Sequence, residues 1–338
     1  MSTFIFMSFV TIDTASKVPK YKQIISSIEE AIASEELRIG DQVPSLNSIK
    51  DQHSLSRDTV LLAFNDLRTR GIIQSVVGKG YYVASTNIQL NEKVFLLFDE
   101  LNSFKEDLYY SFLDNLGDKI QVDIFFHHFN PDVFNQLIES NLGQYTYYVI
   151  MPANLQDVIM SIERLPQEKV FILDQTTPEL SAFPSVYQNF SRNVYEGLKI
   201  SLALIRKYKS ITIVFSREKQ PLGILKGLQE FCEESGISYS VENTFDDEKF
   251  EVGELYFLLD ERSLIQVIKK IKEAGLVIGK EVGVISYNDS LLKEMVEGGI
   301  TTISTDFSFM GKRLAEMILN KERLQIENPN QLVIRNSL

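Results

Sequence analysis

The sequence predicts an α/β protein in two parts: a small, mostly helical N-terminal part closed by a β-hairpin, and a larger part built on parallel sheets. Two observations carry this. Residues 44–83 string two capped amphipathic helices and a glycine-tipped hairpin together, whereas from Lys93 onward short apolar runs alternate with amphipathic helical stretches, as in a parallel sheet covered by helices. A chain of 338 residues, 44% hydrophobic, has room for two or three domains of about 100–200 residues each. The expected units are residues 1–86, a polar linker at 87–92 within the unpatterned stretch Ala84–Glu92, and residues 93–338.

The first helix is expected over Lys20–Glu36, with Tyr21, Ile24, Ile25, Ile28, Ala31 and Ile32 on one stripe. Ser45 caps a helix from Leu46 to Gln52, His53-Ser54-Leu55 makes a tight turn, and Ser56 caps a further helix that opens Arg57-Asp58-Thr59. There Val60, Ala63, Phe64 and Leu67 fall at i, i+3, i+4 and i+7 and face inward, which leaves Arg57, Thr59, Asn65 and Arg68 on other faces. Gly71 ends the helix. Ile72–Val76 and Tyr81–Val83 read as strands joined through Val77-Gly78-Lys79-Gly80. Any one amphipathic face is as readily plain core, and Arg57 alone is as readily a solvated charge. The joint arrangement is that of a winged helix-turn-helix. It offers the start of the second capped helix to a DNA major groove, with Arg57 on guanine or phosphate and Thr59 on a base edge or phosphate. The Ser56 hydroxyl and the free N–H groups of that turn suit a phosphate, and Lys79 stands at the wing tip.

Pro19-x-Tyr21-x-Gln23-Ile24, Gly40-Asp41-x-Val43-Pro44-Ser45, Leu55-Ser56-Arg57-Asp58-Thr59-Val60, Leu67-x-x-x-Gly71-Ile72-Ile73 and Gly78-x-Gly80-Tyr81-Tyr82-Val83 together resemble the winged helix-turn-helix of GntR-family bacterial transcription regulators. The resemblance covers Val18–Val83. It implies a DNA interface at Ser45, Asn47, Ser56, Arg57, Thr59, Gly78 and Lys79. The family often carries an arginine where this chain has Asn47.

Charge qualifies this reading. The net charge is −12, yet residues 1–86 hold nine basic and nine acidic side chains, so the whole excess of acid belongs to the rest. A neutral reader makes few phosphate contacts per copy, so useful affinity needs two copies on symmetric half-sites; the expectation is a homodimer on double-stranded operator DNA. No apolar run approaches the roughly 18–20 residues that span a bilayer. The apolar start Phe4–Val10 lacks the flanks of a signal peptide and reads as an extra strand or an over-long start, with Met7 an alternative initiator. A lone cysteine, Cys232, forms no internal disulfide and fits a reducing cytoplasm.

In the larger part, strands are expected at Val94–Phe98, Val122–Phe126, Tyr147–Met151, Val170–Leu173, Ile211–Phe215, Tyr239–Val241, Leu255–Leu259 and Val282–Ser286. Helices are expected between them, among them Lys105–Leu116, Arg192–Ile205, Gly223–Ser235 and Leu264–Ala274. Two such halves make two lobes with a cleft at the carboxyl ends of the strands. A sugar there needs amides and carboxylates for its hydroxyls and an aromatic face for its C–H side. Strand ends supply Asp99, Glu100, Asn102 and Phe104, then Asp174 and Gln175, then Gln188 and Asn189 at the lobe crossover; Phe104, Tyr287 and Phe307 supply faces. Each singly is as readily a helix cap or core aromatic.

Phe257-Leu258-Leu259-Asp260-Glu261, Gly275 through Tyr287-Asn288-Asp289, and Ile300 through Asp306-Phe307-x-x-Met310-Gly311 are similar to the effector domain of LacI/GalR-type regulators, itself like periplasmic sugar-binding proteins. The resemblance implies a two-lobed periplasmic-binding-protein-like domain and nominates Asn288, Asp289 and Phe307 for the effector site, where Asp260 is expected as well. Where that family carries a sugar-binding arginine three residues before a glycine, here Gly227, this chain has Ile224. The combination resembles the arabinose repressor group.

No phosphate-binding glycine loop, zinc-protease helix, paired-cysteine motif or nucleophile elbow occurs. His127-His128, adjacent on a strand, point to opposite faces and do not chelate one ion. The reading is a cytoplasmic, ligand-responsive repressor of carbohydrate genes, not an enzyme, without metal or cofactor, sensing a monosaccharide or its phosphate. The alternatives are an activator of the same architecture, a sugar-processing enzyme with an accessory winged domain, and a protein-binding winged helix.

Overall fold

In the computed structural model, which describes residues 9–16, 18–88, 92–118, 120–246, 248 and 250–338, apolar side chains gather into one core in the N-terminal part and one against each face of two large sheets. The expected strand at Phe4–Val10 lies mostly outside the described residues; Val10 itself is buried in the N-terminal core.

That part comprises α1 (Lys20–Ala33), α2 (Leu46–His53), α3 (Arg57–Thr69) and an antiparallel hairpin of β1 (Ile73–Val76) and β2 (Gly80–Val83). α1 ends at Ala33 rather than Glu36, because Glu35 takes a left-handed φ of 61° and the chain turns back to bury Leu37. Ile24, Ile28, Val60, Phe64 and Leu67 are fully buried between α1 and α3; side chains of this size contribute about 1.5–3 kcal/mol each on burial. Phe64 meets the Tyr81 ring edge-on at 4.9 Å, fastening helix to wing.

The first lobe begins with β3 (Glu92–Phe98), so the last residue of the expected linker already belongs to a strand. It continues with α4 (Ser103–Leu116), β4 (Ile120–Phe126), α5 (Pro131–Ser140), β5 (Tyr147–Ile150), α6 (Val158–Ile162), β6 (Val170–Asp174) and β7 (Ser185–Tyr187). The second lobe holds α7 (Phe190–Ile200), α8 (Leu202–Ile205), β8 (Ser210–Val214), α9 (Leu222–Ser235), β9 (Ser238–Glu242), β10 (Glu254–Leu258), α10 (Glu261–Glu273), β11 (Gly283–Tyr287), α11 (Leu291–Met295) and β12 (Thr301–Thr305). The chain then returns: α12 (Phe307–Leu319) packs on α4 of the first lobe, β13 (Gln325–Glu327) pairs with β7, and β14 (Asn330–Val333) pairs with β12. The sheets run β13-β7-β6-β5-β3-β4, all parallel, and β14-β12-β11-β10-β8-β9, parallel except for β14. Three crossings therefore join the lobes, after β7, β12 and β13.

Two differences from the expected elements have local causes. The helix expected over Arg192–Ile205 breaks at Ser201, whose hydroxyl donates back to the Gly197 carbonyl at 2.6 Å and competes with the helical ladder. β12 had no apolar signature to announce it, since four of its five residues are Thr or Ser; its burial is supported by hydroxyls that find partners, Thr301 on the Arg335 carbonyl, Ser304 on the Asp289 N–H and Thr305 on the Gln188 amide oxygen. β7, β13 and β14 are three or four residues long and depend on the crossings.

Candidate functional site

The start of α3 is built by side chains that cap it. Ser56 Oγ accepts from the Thr59 N–H at 3.1 Å and is bonded to the Thr59 hydroxyl at 2.8 Å, while Ser45 Oγ accepts from the Ser48 N–H at 3.1 Å to start α2. Asp58 in the first turn suits the positive end of the helix. Arg57 and Asn47 are exposed, and among the described residues neither forms an ion pair or a side-chain hydrogen bond. At the wing, Gly78 and Gly80 take φ of 72° and 111°, values open to glycine, and Gln42 holds the tip by donating to the Lys79 carbonyl at 2.7 Å. The Lys79 ammonium stays exposed. The other end of α3 is anchored: Arg68 donates to the Gly143 carbonyl of the first lobe at 3.1 Å, and Arg70 pairs with Glu29 at 2.5 Å and Asp66 at 3.2 Å. The head therefore presents Ser45, Asn47, Ser56, Arg57, Thr59, Gly78 and Lys79 at helix starts and hairpin tip, while Arg68 near the far end of α3 ties it to the body.

Between the lobes lies a cavity of about 400 Å³. Glu100, Asn102, Phe104, Asp174 and Gln175 line it from the first lobe, Asp260, Tyr287 and Asn288 from the second, with Gln188 at one crossing and Phe307 at another. Phe104 and Phe307 stack at 5.8 Å to form one wall. Asn102 caps α4 by accepting from the Lys105 N–H at 3.1 Å, and Asp260 caps α10 by accepting from the Ser263 N–H at 2.8 Å, so both carry structural bonds as well.

Behind that wall the polar groups are interlocked. Asp99 and Lys105 form a buried ion pair. Burial pushes the Asp174 carboxyl up to about 6, against the attraction of Lys105. The Gln188 amide donates to Asp174 at 2.5 Å and accepts from the Tyr287 hydroxyl at 3.1 Å and from the Thr305 hydroxyl. A single side chain thus ties the ends of β6, β11 and β12, across both lobes. Lys293, 1% exposed, donates to the Tyr287 and Asn288 carbonyls at 2.8 and 2.6 Å and lies 5.3 Å from the Phe104 ring. Burial lowers its ammonium to about 8. It holds Asn288 at a left-handed φ of 59°, and the Asn288 Oδ1 is buried without a partner.

Two expected residues stand elsewhere. Asp289 is gripped by both guanidinium nitrogens of Arg335 at 2.7 and 2.6 Å and does not line the cavity. Asn189 caps α7 by accepting from the Arg192 N–H at 3.3 Å and lines a neighbouring cavity. Sequence reasoning also missed groups. Ile224 does line the cavity, but the cations there are Lys105, Lys219 and Arg262, and Arg262, two positions after Asp260, was within reach of a strand-end search. Of the adjacent pair His127-His128, His127 is buried with Nε2 on the Met151 carbonyl at 3.0 Å, and the described residues contain no cluster able to hold a metal. Cys232 is buried in α9, and burial pushes its thiol up to about 11.

The geometry has counterparts. Residues 20–83 match the bacterial regulatory proteins of the gntR family, and residues 204–338 match the periplasmic binding protein-like domain. The chain is 34% identical over 87 residues to the uncharacterized HTH-type transcriptional regulator YdfD of Bacillus subtilis and 36% identical over 90 residues to the mannosyl-D-glycerate transport/metabolism system repressor MngR of Escherichia coli. These stretches cover 26% and 27% of this chain but only 18% and 35% of those regulators. The fold is that of a LacI family transcriptional regulator from Silicibacter pomeroyi, with a TM-score of 0.63 at 17% identity over 73% of this chain and 98% of that one. The lac repressor dimer bound to operator and the anti-inducer ONPF is similar, with a TM-score of 0.60 at 16% identity over 72% and 93%.

Proposed function

We propose that this chain, which joins a GntR-type winged helix-turn-helix to a LacI-like two-lobed body, is a sugar-responsive transcription repressor that binds operator DNA as a homodimer. The observation that carries the reading is the pairing of two unfinished surfaces. The side chains of Arg57, Asn47 and Lys79 stand exposed at the groove-facing positions of the head with no ion pair or hydrogen bond among the described residues, and acceptors unpartnered among those residues, Glu100 and the Asn288 Oδ1 among them, stand beside a stacked aromatic wall in the body. The first set suits base edges and phosphates. The second suits one sugar ring, hydroxyls toward the acceptors and C–H face toward Phe104 or Phe307. Four carboxyls against three cations around the cavity favour a neutral monosaccharide unit over its phosphate.

Ligand bound across the cleft contacts both lobes, so it stabilises one lobe arrangement over another; a dimer whose lobes touch then changes the spacing of its two heads. A coupling of about 1–3 kcal/mol suffices to release a moderately tight operator complex. The test is a gel shift with duplexes from the chain's own genomic neighbourhood, with and without sugars that raise its melting temperature. The expected result is a complex that such a sugar dissolves while being recovered unaltered. Tighter binding with sugar would make the protein an activator or co-repressor-dependent, chemical turnover would make the body an enzyme, and indifference to every duplex would end the proposal.

A further inference from the structure

The cavity under Phe104 and Phe307 continues into a second, larger one of about 750 Å³ on the far side of Gln175, Gln188, Phe190 and Pro221, four residues that line both. Each volume lies in the range of about 300–1,000 Å³ in which small molecules are held. Their chemistry differs. The first is lined by ionisable groups, Asp99, Lys105, Asp174, Asp260 and Arg262 among them. None of the residues lining the second is charged, although 24% of the chain is; amides such as Asn154, Gln156 and Gln325 and hydroxyls such as Thr176, Thr177 and Tyr187 take their place.

Several of these groups have nothing to bond. The Thr176 hydroxyl is buried without a partner, and among the described residues neither the Gln175 amide, at the junction, nor the Tyr187 hydroxyl makes a hydrogen bond. Groups that both donate and accept, set around a neutral space, match the hydroxyls of an uncharged sugar. Leaving the Thr176 hydroxyl buried and unsatisfied is otherwise unfavourable. Both lobes supply the walls, and Asn154 of the first donates to the Gln220 carbonyl of the second at 2.5 Å, so an occupant of this chamber also bears on lobe closure.

We propose that the effector is a neutral sugar of at least two units, with one ring against the aromatic wall and the second in the uncharged chamber, joined past Gln175. This rests on the sensor reading above. The test is calorimetric titration of the full-length protein with maltose, cellobiose, melibiose, sucrose and trehalose, beside glucose, galactose, fructose and arabinose. Two variants are measured in parallel. Thr177→Trp fills the second chamber from an exposed position, and Gln156→Ala, also exposed, removes one amide from it; neither lines the first cavity.

The expected result is one disaccharide bound at least about tenfold more tightly than either of its component sugars. That advantage falls to less than threefold in Thr177→Trp and narrows in Gln156→Ala, with monosaccharide affinity unchanged in both. A monosaccharide bound as tightly as every disaccharide containing it, or a disaccharide advantage untouched by Thr177→Trp, would overturn the two-unit proposal and leave the sensor standing. Silence of all nine sugars would remove the sensor reading and this proposal with it.

Discussion

The reading head takes its shape from neighbours in sequence, the cleft from residues far apart. Ser45 and Ser56 each cap a helix through an N–H three residues on, whereas Gln188 reaches Thr305 across 117 positions. A head made by local rules tolerates change at its exposed tips. A cleft made by long-range packing transmits change, because each of its side chains also holds a crossing or a sheet edge. The two regions should therefore fail in different ways when substituted.

The largest effect is expected at Arg57. Replacing it with alanine removes one groove contact per head, about 1–3 kcal/mol each, so a dimer on two half-sites should lose at least about 30-fold in operator affinity by fluorescence anisotropy, while the melting temperature and its rise with sugar stay put. A loss of fold stability instead would show that the head is not locally built.

Next is Gly227, where α9 touches the start of α7. A Cβ there would lie 2.2 Å from the Ser191 carbonyl oxygen, which is backbone and cannot swing away. Gly227→Ala should cost about 3 kcal/mol of stability in urea unfolding, weaken sugar binding through the displaced crossing at Asn189–Phe190, and leave operator binding by the folded fraction intact.

That contrast also explains what the sequence disclosed. Caps, turn residues and the Val60–Leu67 stripe are written in consecutive positions, and the structure departs there most at the end of α1 and by a single residue at the end of α2 and the starts of both wing strands. Eight of the twelve strands described in the body were legible from apolar runs; β7, β12, β13 and β14 were not. Gln188 as the tie between lobes, Lys293 buried beneath Asn288, and the diversion of Asp289 to Arg335 were not, because each depends on which distant segment arrives beside it. The uncharged chamber was equally invisible: its residues come from loops after β5, β6 and β7 and from the start of α9, and no single loop shows that charge is missing from all of them.

A gain of function should sharpen the head's side of the comparison. Asn47 is exposed and unbonded, so Asn47→Arg adds a cation to each head without disturbing its packing. Operator affinity should rise about tenfold, and the slope of log affinity against log salt should steepen by about one per head. An unchanged slope would place Asn47 away from the DNA.

The smallest effect, and the most discriminating for the cleft, concerns Asp174. Burial raises its carboxyl from the ordinary 3.8 to about 6, with Lys105 opposing and Asp99 adding to the rise, while the Gln188 amide favours the ionised form. A carboxyl with a raised folded-state pKa favours the folded state at low pH, and that contribution is lost as pH climbs through about 6. Sugar binding should run the other way, because an ionised Asp174 accepts hydroxyl hydrogens that a protonated one cannot. Between pH 4.5 and 7 the unmodified protein should thus lose a little stability and gain sugar affinity, and Asp174→Asn should flatten both curves. If only the stability curve flattens, Asp174 serves the crossing and not the ligand.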